Sequence, residues 1–258
     1  MIYAAFTLWL FLILFAGVGV YRLWTMMVKP AYVHWALLPG TLVSEMAYIF
    51  GCLITGGEIR RAKIIEMPGG KGKGGEPTTD AAPGIKIIGP LLASLLAMVA
   101  CIAAILLARE LLGASIIDTF ASRHGAFARA VPQTLPGSWD QIWAQLGGQL
   151  VLLQQTCETF ASSGWLTLRG VLFIYLAICL SVRLSPVTRP MRPTLAAVVV
   201  IAGIIAVVGL IWRRFGSLME DIWPLVTYVW GLLLFLLALT LFVRGIFALV
   251  RILAGKAR

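Results

Sequence analysis

Charged residues are scarce in this chain: they make up 12% of its 258 residues, whereas hydrophobic residues make up 60%. A soluble domain cannot bury that much apolar surface, so the composition excludes a soluble globular protein and predicts an integral membrane protein. The formal net charge of +10 could indicate nucleic-acid binding. The basic residues, however, lie between apolar runs, where the positive-inside rule places them, and we expect no nucleic-acid partner.

Metal-ligating residues are also scarce. The chain has two histidines, His34 and His124, which are too few for a histidine-built metal site. Its four cysteines contain no C-x-x-C pair, and three of them lie in apolar runs, which argues against a zinc ribbon and against a disulfide framework. We therefore expect the cysteines to be buried apolar side chains, and we expect the protein to bind no metal and no other cofactor.

Long apolar runs fill most of the sequence. Six of them approach the ~20 residues that a helix needs to cross a bilayer. The sequence thus predicts an all-α fold, a polytopic membrane bundle of about six helices in one membrane domain over residues 1–258. The first run follows no basic residue and precedes no cleavage pattern, so we expect it to be retained as a span. The six runs cover residues 3–20, 31–54, 87–108, 164–182, 194–212 and 223–243.

Two stretches between the runs are more polar. Residues 57–84 are rich in glycine and lysine, which predicts a flexible basic cytoplasmic loop, with a possible short strand over 62–67. Residues 109–163 are expected to be an extracytoplasmic segment. Within it, 138–160 predict an amphipathic helix that lies in the membrane interface or packs against the spans. Ser138 and Gln141 form its capping box, and its apolar face comprises Trp139, Ile142, Trp143, Leu146, Leu150 and Leu153.

The distribution of basic residues predicts the orientation. Six spans place both termini on one side of the membrane. The loops on that side hold more lysine and arginine than those on the other, so the positive-inside rule predicts cytoplasmic N- and C-termini in the cell (inner) membrane. Arg183 is counted here among the cytoplasmic loop charges, in the connection RLSPVTRPMRP.

The second run contains Pro39-Gly40 and therefore does not predict a straight helix, because proline lacks an N–H and clashes with the preceding turn. Pro39 either opens a helix, with residues 31–38 as a separate lead-in, or kinks one long helix. Under the first alternative, a carboxylate follows about two turns into the new helix.

That carboxylate is Glu45, the one acidic residue inside an apolar run. A carboxylate in hydrocarbon is costly and is a functional-site hypothesis by default. Three interpretations stay open. Glu45 is a neutral acid hydrogen-bonded inside the bundle, since burial disfavours the charged form; it pairs with an arginine such as Arg169; or it lines a polar cavity for a substrate, an ion or a proton.

The residues around Glu45 read LPGTLVSEMAYIFGCLITGGEI, and a later stretch reads LFIYLAICLSVRLSPVTRP. These two stretches, residues 38–59 and 172–190, resemble motif regions of the site-2-protease-like (M50-type) membrane metallopeptidases. In that family H-E-x-x-H holds zinc through its histidines, and its glutamate is the general base. The resemblance places the catalytic position on Glu45 and the two ligand positions on Ser44 and Tyr48. A third, acidic ligand would fall near Pro190, so the pattern is degenerate.

Hydroxyl groups are poor zinc ligands beside imidazole or thiolate. Within the second run, His34 would lie ~16 Å from Glu45 along a straight helix, and Cys52 with Tyr48 is not a usual zinc set. We therefore expect a proteolytically inactive M50-like protein that binds a membrane partner or peptide, or serves as a subunit of a membrane complex. The alternatives are an active intramembrane metalloprotease with an unorthodox site, and a small transporter or channel-like subunit that uses Glu45.

Overall fold

The computed structural model describes residues 2–62, 79–82, 85, 88–122, 131–162, 167–184, 191–212 and 215–253. Nearly all of them are helical. The chain begins with α1 (Ile2–Met27), α2 (Pro30–Ala36) and α3 (Leu38–Ile54), followed by the strands β1 (Glu58–Ala62) and β2 (Thr79–Ala82). Next come α4 (Ile88–Ala108), a π-helical turn (Arg109–Gly113) and α5 (Ala114–Ser122). The remaining helices are α6 (Trp139–Ser162), α7 (Leu168–Arg183), α8 (Met191–Ile211) and α9 (Phe215–Leu253).

The helical membrane fold is confirmed. Four helical segments of the described chain are long and apolar enough to cross a membrane, and the bent pair α2–α3 would make a fifth. The predicted run 164–182 forms α7, whose 16 residues are shorter than the ~20 of a typical span. The four segments are Ile2–Met27, Ile88–Ala121, Arg192–Gly209 and Phe215–Leu249.

The break at Pro39 follows the first of the two predicted alternatives. The lead-in is the separate helix α2, and α3 begins at Leu38, so Pro39 lies in the first turn, where its missing N–H leaves no bond unmade. The two helix axes are bent by 84°. The Leu37 carbonyl accepts both from the N–H and from the hydroxyl of Thr41, which secures the new helix start.

The β-ribbon joins α3 to α4 at one end of the bundle. Glu58 pairs with Ala82, so the chain leaves α3 and returns to α4 at nearly the same place. The two helices are therefore antiparallel neighbours, and a Cβ at Gly51 would lie 2.6 Å from the Cα of Ala93. Of the strand predicted over 62–67, only residue 62 belongs to β1, and 63–78 lie outside the described residues.

The first and last helices run parallel. Moving along α1, Phe6 contacts Trp223, Trp9 contacts Trp230, and the Trp24 indole donates to the Thr240 hydroxyl at 3.0 Å. The start of α1 and the end of α9 therefore lie at opposite ends of the bundle.

Helix α7 runs parallel to α1 and antiparallel to α4 in the core. Its Phe173 stacks on Tyr228 and meets Gly113 of the π-helical turn, and near its end Ser181 lies against Gly17 of α1. Ser181 also lines an apolar cavity of about 70 Å³ together with Ile102 of α4. Since α3 is antiparallel to α4 as well, α1 and α3 run in the same direction.

Candidate functional site

Helix α3 directs one polar face into the bundle. Thr41, Glu45, Tyr48 and Cys52 follow one another at steps of four, three and four residues, which places them on one helix face, and all four are buried. Glu45 is only 4% exposed. The opposite face, with Leu42, Met46 and Phe50, is exposed and apolar. The intramembrane carboxylate therefore points inward.

Two glycines bring α3 into close contact with its neighbours. A Cβ at Gly40 would overlap the carbonyl group of Cys179 in α7, and Gly51 meets Ala93 of α4 equally closely. Contacts this short between backbones require residues without a side chain. Close contacts near the two ends of α3 thus hold its polar face between α4 and α7.

The residues at the zinc-ligand positions do not fit a zinc ion. Tyr48 is buried and packs with Cys52 against Ala93 and Ala97, whereas Ser44 is half-buried. Neither hydroxyl is a usual zinc donor. Within the described part of the chain, no three histidine, cysteine, aspartate or glutamate side chains come together in a way that could hold a metal. We therefore derive no metal-dependent step.

A second buried polar group lies where α2 turns into α3. It consists of Tyr21, His34 and Arg183, which we name the α2 cluster. Arg183 Nη2 lies 2.6 Å from His34 Nδ1, and Tyr21 Oη lies 3.2 Å from His34 Nε2. The guanidinium carbon of Arg183 also lies 5.4 Å from the centre of the Tyr21 ring, in a cation–π arrangement.

The arginine determines the state of the histidine. A guanidinium group can only donate, so His34 Nδ1 must accept and carries no proton. The neutral ring then has its proton on Nε2, which donates to the Tyr21 hydroxyl oxygen. The three side chains thus form an ordered chain of hydrogen bonds from α7 through α2 to α1.

The end of α2 is also tied to α7. The carbonyl oxygen of Ala36 accepts from the Tyr175 hydroxyl at 2.9 Å and from the Cys179 thiol at 3.4 Å. The last carbonyl groups of a helix have no partner within the helix, and these donors satisfy that of Ala36. The position of α2, and with it the start of α3, is therefore set by polar contacts with α1 and α7.

The sequence found only part of this arrangement. Arg183 was expected to be a loop charge, but it is 4% exposed and belongs to the α2 cluster, because α7 carries it into the bundle. The distance expected between His34 and Glu45 assumed one straight helix. That assumption is wrong, because the chain bends by 84° between the two residues. No sequence signal places Tyr21 beside His34. His124 and Pro190 lie outside the described residues.

Arg169, the arginine considered as a partner for Glu45, is exposed. It lines a surface cavity of about 620 Å³ beside the π-helical turn, together with Glu110 and Thr167. Glu45 lines neither this cavity nor the apolar cavity beside Ser181. Glu45 lies on the buried face of α3.

Comparisons of the chain with protein-family models, with curated proteins and with solved structures find no match. The likeness of residues 38–59 and 172–190 to M50-type peptidases thus stays a prediction from motifs.

Proposed function

We propose that this integral membrane protein has no zinc-peptidase activity and acts by binding a membrane partner or peptide, or as a subunit of a membrane complex. One observation supports this most directly. Glu45 occupies the position of the catalytic glutamate on α3, but the two ligand positions carry hydroxyl groups instead of imidazoles. Ser44 is half-buried, and Tyr48 packs against α4. Without a bound zinc ion, a glutamate has no acidified water to activate.

The outward face of α3 is the surface we propose for the partner. Leu42, Met46 and Phe50 form an exposed apolar row along a helix whose other face is packed on α4 and α7. Helix α3 is fixed by backbone contacts, so this row is presented by a rigid element. Apolar side chains on a preorganised helix suit a membrane-embedded helix or peptide as partner.

The burial of Glu45 favours this proposal over transport. A proton or cation site needs a water-accessible path, and intramembrane acids in transporters face a polar cavity. Glu45 is buried on the face of α3 that is turned into the bundle. Its place between two helices suits a structural role within the binding element.

The zinc content of the purified protein tests the proposal. We expect far less than one zinc per chain in detergent-purified protein, with the same value in the Glu45→Gln and Tyr48→Ala variants. We also expect no cleavage of a model transmembrane substrate by either the wild type or Glu45→Gln. Stoichiometric zinc that is lost on Tyr48→Ala, or cleavage that stops on Glu45→Gln, would contradict the proposal and favour the unorthodox protease.

We further infer that α2 and α3 form a re-entrant element. Helices α1 and α3 run in the same direction, yet only residues 28–37 join them. Three extended residues and the seven-residue α2 reach at most ~20 Å, less than the ~30 Å of a hydrocarbon core. The chain therefore cannot recross the membrane before α3. Non-helical backbone at this depth is tolerated because the α2 cluster is buried in protein and the Ala36 carbonyl is hydrogen-bonded by α7.

A re-entrant α2–α3 pair changes the expected orientation. The end of α1, the end of α3 and the end of α9 then share one side of the membrane. The chain has 21 lysines and arginines. Six of them lie on the opposite side, so the remaining 15 lie on the side where α1, α3 and α9 end. The positive-inside rule makes the richer side cytoplasmic, with an extracytoplasmic N-terminus and a cytoplasmic C-terminus. The six are Arg109, Arg123, Arg129, Arg169, Arg213 and Arg214.

Reporter fusions test this orientation in bacterial cells. We expect a C-terminal fluorescent-protein fusion to fluoresce and a C-terminal alkaline phosphatase fusion to be inactive, since the C-terminus is cytoplasmic. In spheroplasts, an N-terminal epitope should be cleaved by added protease. Protection of that epitope in sealed spheroplasts, with a cytoplasmic C-terminus, would restore the expectation of a common side and contradict the re-entrant pair.

A further inference from the structure

Helix α6 has one face that docks on the bundle. Leu152 and Thr156 are buried, and the Gln149 side-chain oxygen accepts from the Trp230 indole at 2.7 Å. The segment before α6 is anchored in the same way: the indoles of Trp9 and Trp223 donate to the carbonyls of Pro132 and Val131. Three tryptophans of α1 and α9 thus attach this part of the chain to the bundle.

The docking contacts of α6 converge on one short stretch of α9. Gln149 and Thr156 are seven residues apart, ~10 Å along the helix. Their partners on α9, Trp230 and Gly231, are consecutive: Thr156 Oγ1 is 2.8 Å from the position of a Cβ at Gly231. If two helices ran side by side, successive contacts would be separated by the same distance along both helices. Because α9 contains a candidate membrane span, this convergence favours an α6 that lies closer to the membrane plane than to its normal.

The apolar face of α6 is turned away from the bundle. Trp139, Trp143, Leu146 and Leu150 are 77%, 70%, 53% and 74% exposed. At 100° per residue these four side chains form one stripe, roughly 130° around the helix axis from the docked face. We call them the α6 stripe. The sequence left open whether this face covers the bundle, and these exposures show that it does not.

We propose that α6 is an in-plane helix whose α6 stripe inserts into the lipid bilayer at the headgroup–acyl boundary. The chemistry of the stripe indicates lipid as the occupant: tryptophan concentrates at this boundary, and an amphipathic helix buries its apolar face ~5–10 Å into it. The stripe also belongs to a bundle that already exposes apolar side chains such as Leu239 and Phe242 on its longest helix.

The charge of α6 makes the proposal more specific. The helix contains Asp140 and Glu158 and no lysine or arginine. Interfacial helices that use electrostatic attraction carry basic residues toward anionic headgroups. Insertion of the α6 stripe therefore depends on apolar burial alone, and its depth should be the same in zwitterionic and anionic bilayers.

Spin labels on single introduced cysteines test the proposal in the full-length protein. Cys157 is the one exposed cysteine of the four, so Cys157→Ser removes the background while Cys52, Cys101 and Cys179 stay buried. Labels are placed by Trp143→Cys and Leu150→Cys, with Ala144→Cys as the matched control, since Ala144 is exposed on another face of the same turn. The protein is reconstituted in phosphatidylcholine nanodiscs, with and without phosphatidylglycerol.

We expect labels at 143 and 150 to collide severalfold more often with oxygen than with a water-soluble nickel chelate, at depths of ~5–10 Å in both lipid mixtures. The label at 144 should favour the nickel chelate. Nickel access at all three positions would overturn the proposal, as would depths that change with anionic lipid. Exclusion of both reagents with spin–spin broadening would also overturn it, because a second copy would then cover the stripe.

Discussion

Replacing Gly40 with alanine is expected to destabilise the bundle by ~1–3 kcal/mol, in spite of the better helix propensity of alanine. The added Cβ would lie 2.6 Å from the carbonyl carbon and 3.1 Å from the next backbone nitrogen, that of Leu180. Both are backbone atoms, so no side-chain rotation can relieve the contact. Either α3 moves away from α7 or α7 bends, and each response disturbs the hydrogen bonds at Ala36.

The measurement is the melting temperature of purified protein in detergent, followed by size-exclusion chromatography after heating. At ~2–4 °C per kcal/mol, Gly40→Ala should lower the Tm by several degrees. Gly203→Ala is the matched control: Gly203 lies inside α8, and a Cβ there would meet nothing within 4 Å. The control should leave the Tm unchanged or raise it slightly. Equal Tm values for the wild type and Gly40→Ala would show that α3 and α7 are not in such close contact.

The sequence predicted the elements better than their arrangement. Hydrophobic runs determined the helices, since lipid requires the backbone to satisfy its own hydrogen bonds. Pro39 correctly indicated a helix start, because proline fits only the first turn. The capping box of the α6 helix is confirmed in part: Ser138 accepts from the Gln141 N–H at 3.4 Å, whereas the Gln141 side chain accepts from Gly137 instead of Ser138.

The direction of each helix could not be read from hydropathy. A run of about twenty apolar residues has the same pattern whether it crosses the membrane or enters and leaves on one side. The parallel course of α1 and α9 depends on contacts such as Trp9 with Trp230, which join residues far apart in sequence. Arg183 illustrates the same limit: its position after an apolar run suits a loop, and the placement of α2 provides a buried acceptor for it.

The largest effect we expect from the α2 cluster comes from removing the histidine and keeping the arginine. His34→Leu removes the Nδ1 acceptor of the buried Arg183 guanidinium, and the loss of a hydrogen bond to a charged group costs ~1.5–3 kcal/mol. Arg183→Met removes the charge itself. The neutral histidine then loses one hydrogen bond, which costs ~1–3 kcal/mol.

The double variant His34→Leu/Arg183→Met should therefore be more stable than His34→Leu alone. In the double variant no buried charge remains, and replacement of a buried polar pair by apolar residues of similar size is often close to neutral. The same Tm assay gives the coupling between the two sites, which should exceed 1 kcal/mol in magnitude for side chains in direct contact. Arg22→Met provides the control, because Arg22 is exposed on α1 one residue after Tyr21 and should change stability by less than ~0.5 kcal/mol.

Tyr21→Phe separates the roles of hydroxyl and ring in the same cluster. It keeps the ring under the Arg183 guanidinium and removes only the acceptor for the His34 Nε2 proton. We expect a loss of ~1 kcal/mol, well below that of His34→Leu, because a neutral donor costs less to leave unpaired than a charged one. Two results together would show that the burial of Arg183 does not depend on His34. The stability losses of His34→Leu and Arg183→Met would be additive in the double variant, and His34→Leu would lose no more stability than Tyr21→Phe. The α2 cluster could then not be what holds α2 against α7, and the re-entrant pair would rest on the Ala36 carbonyl contacts alone.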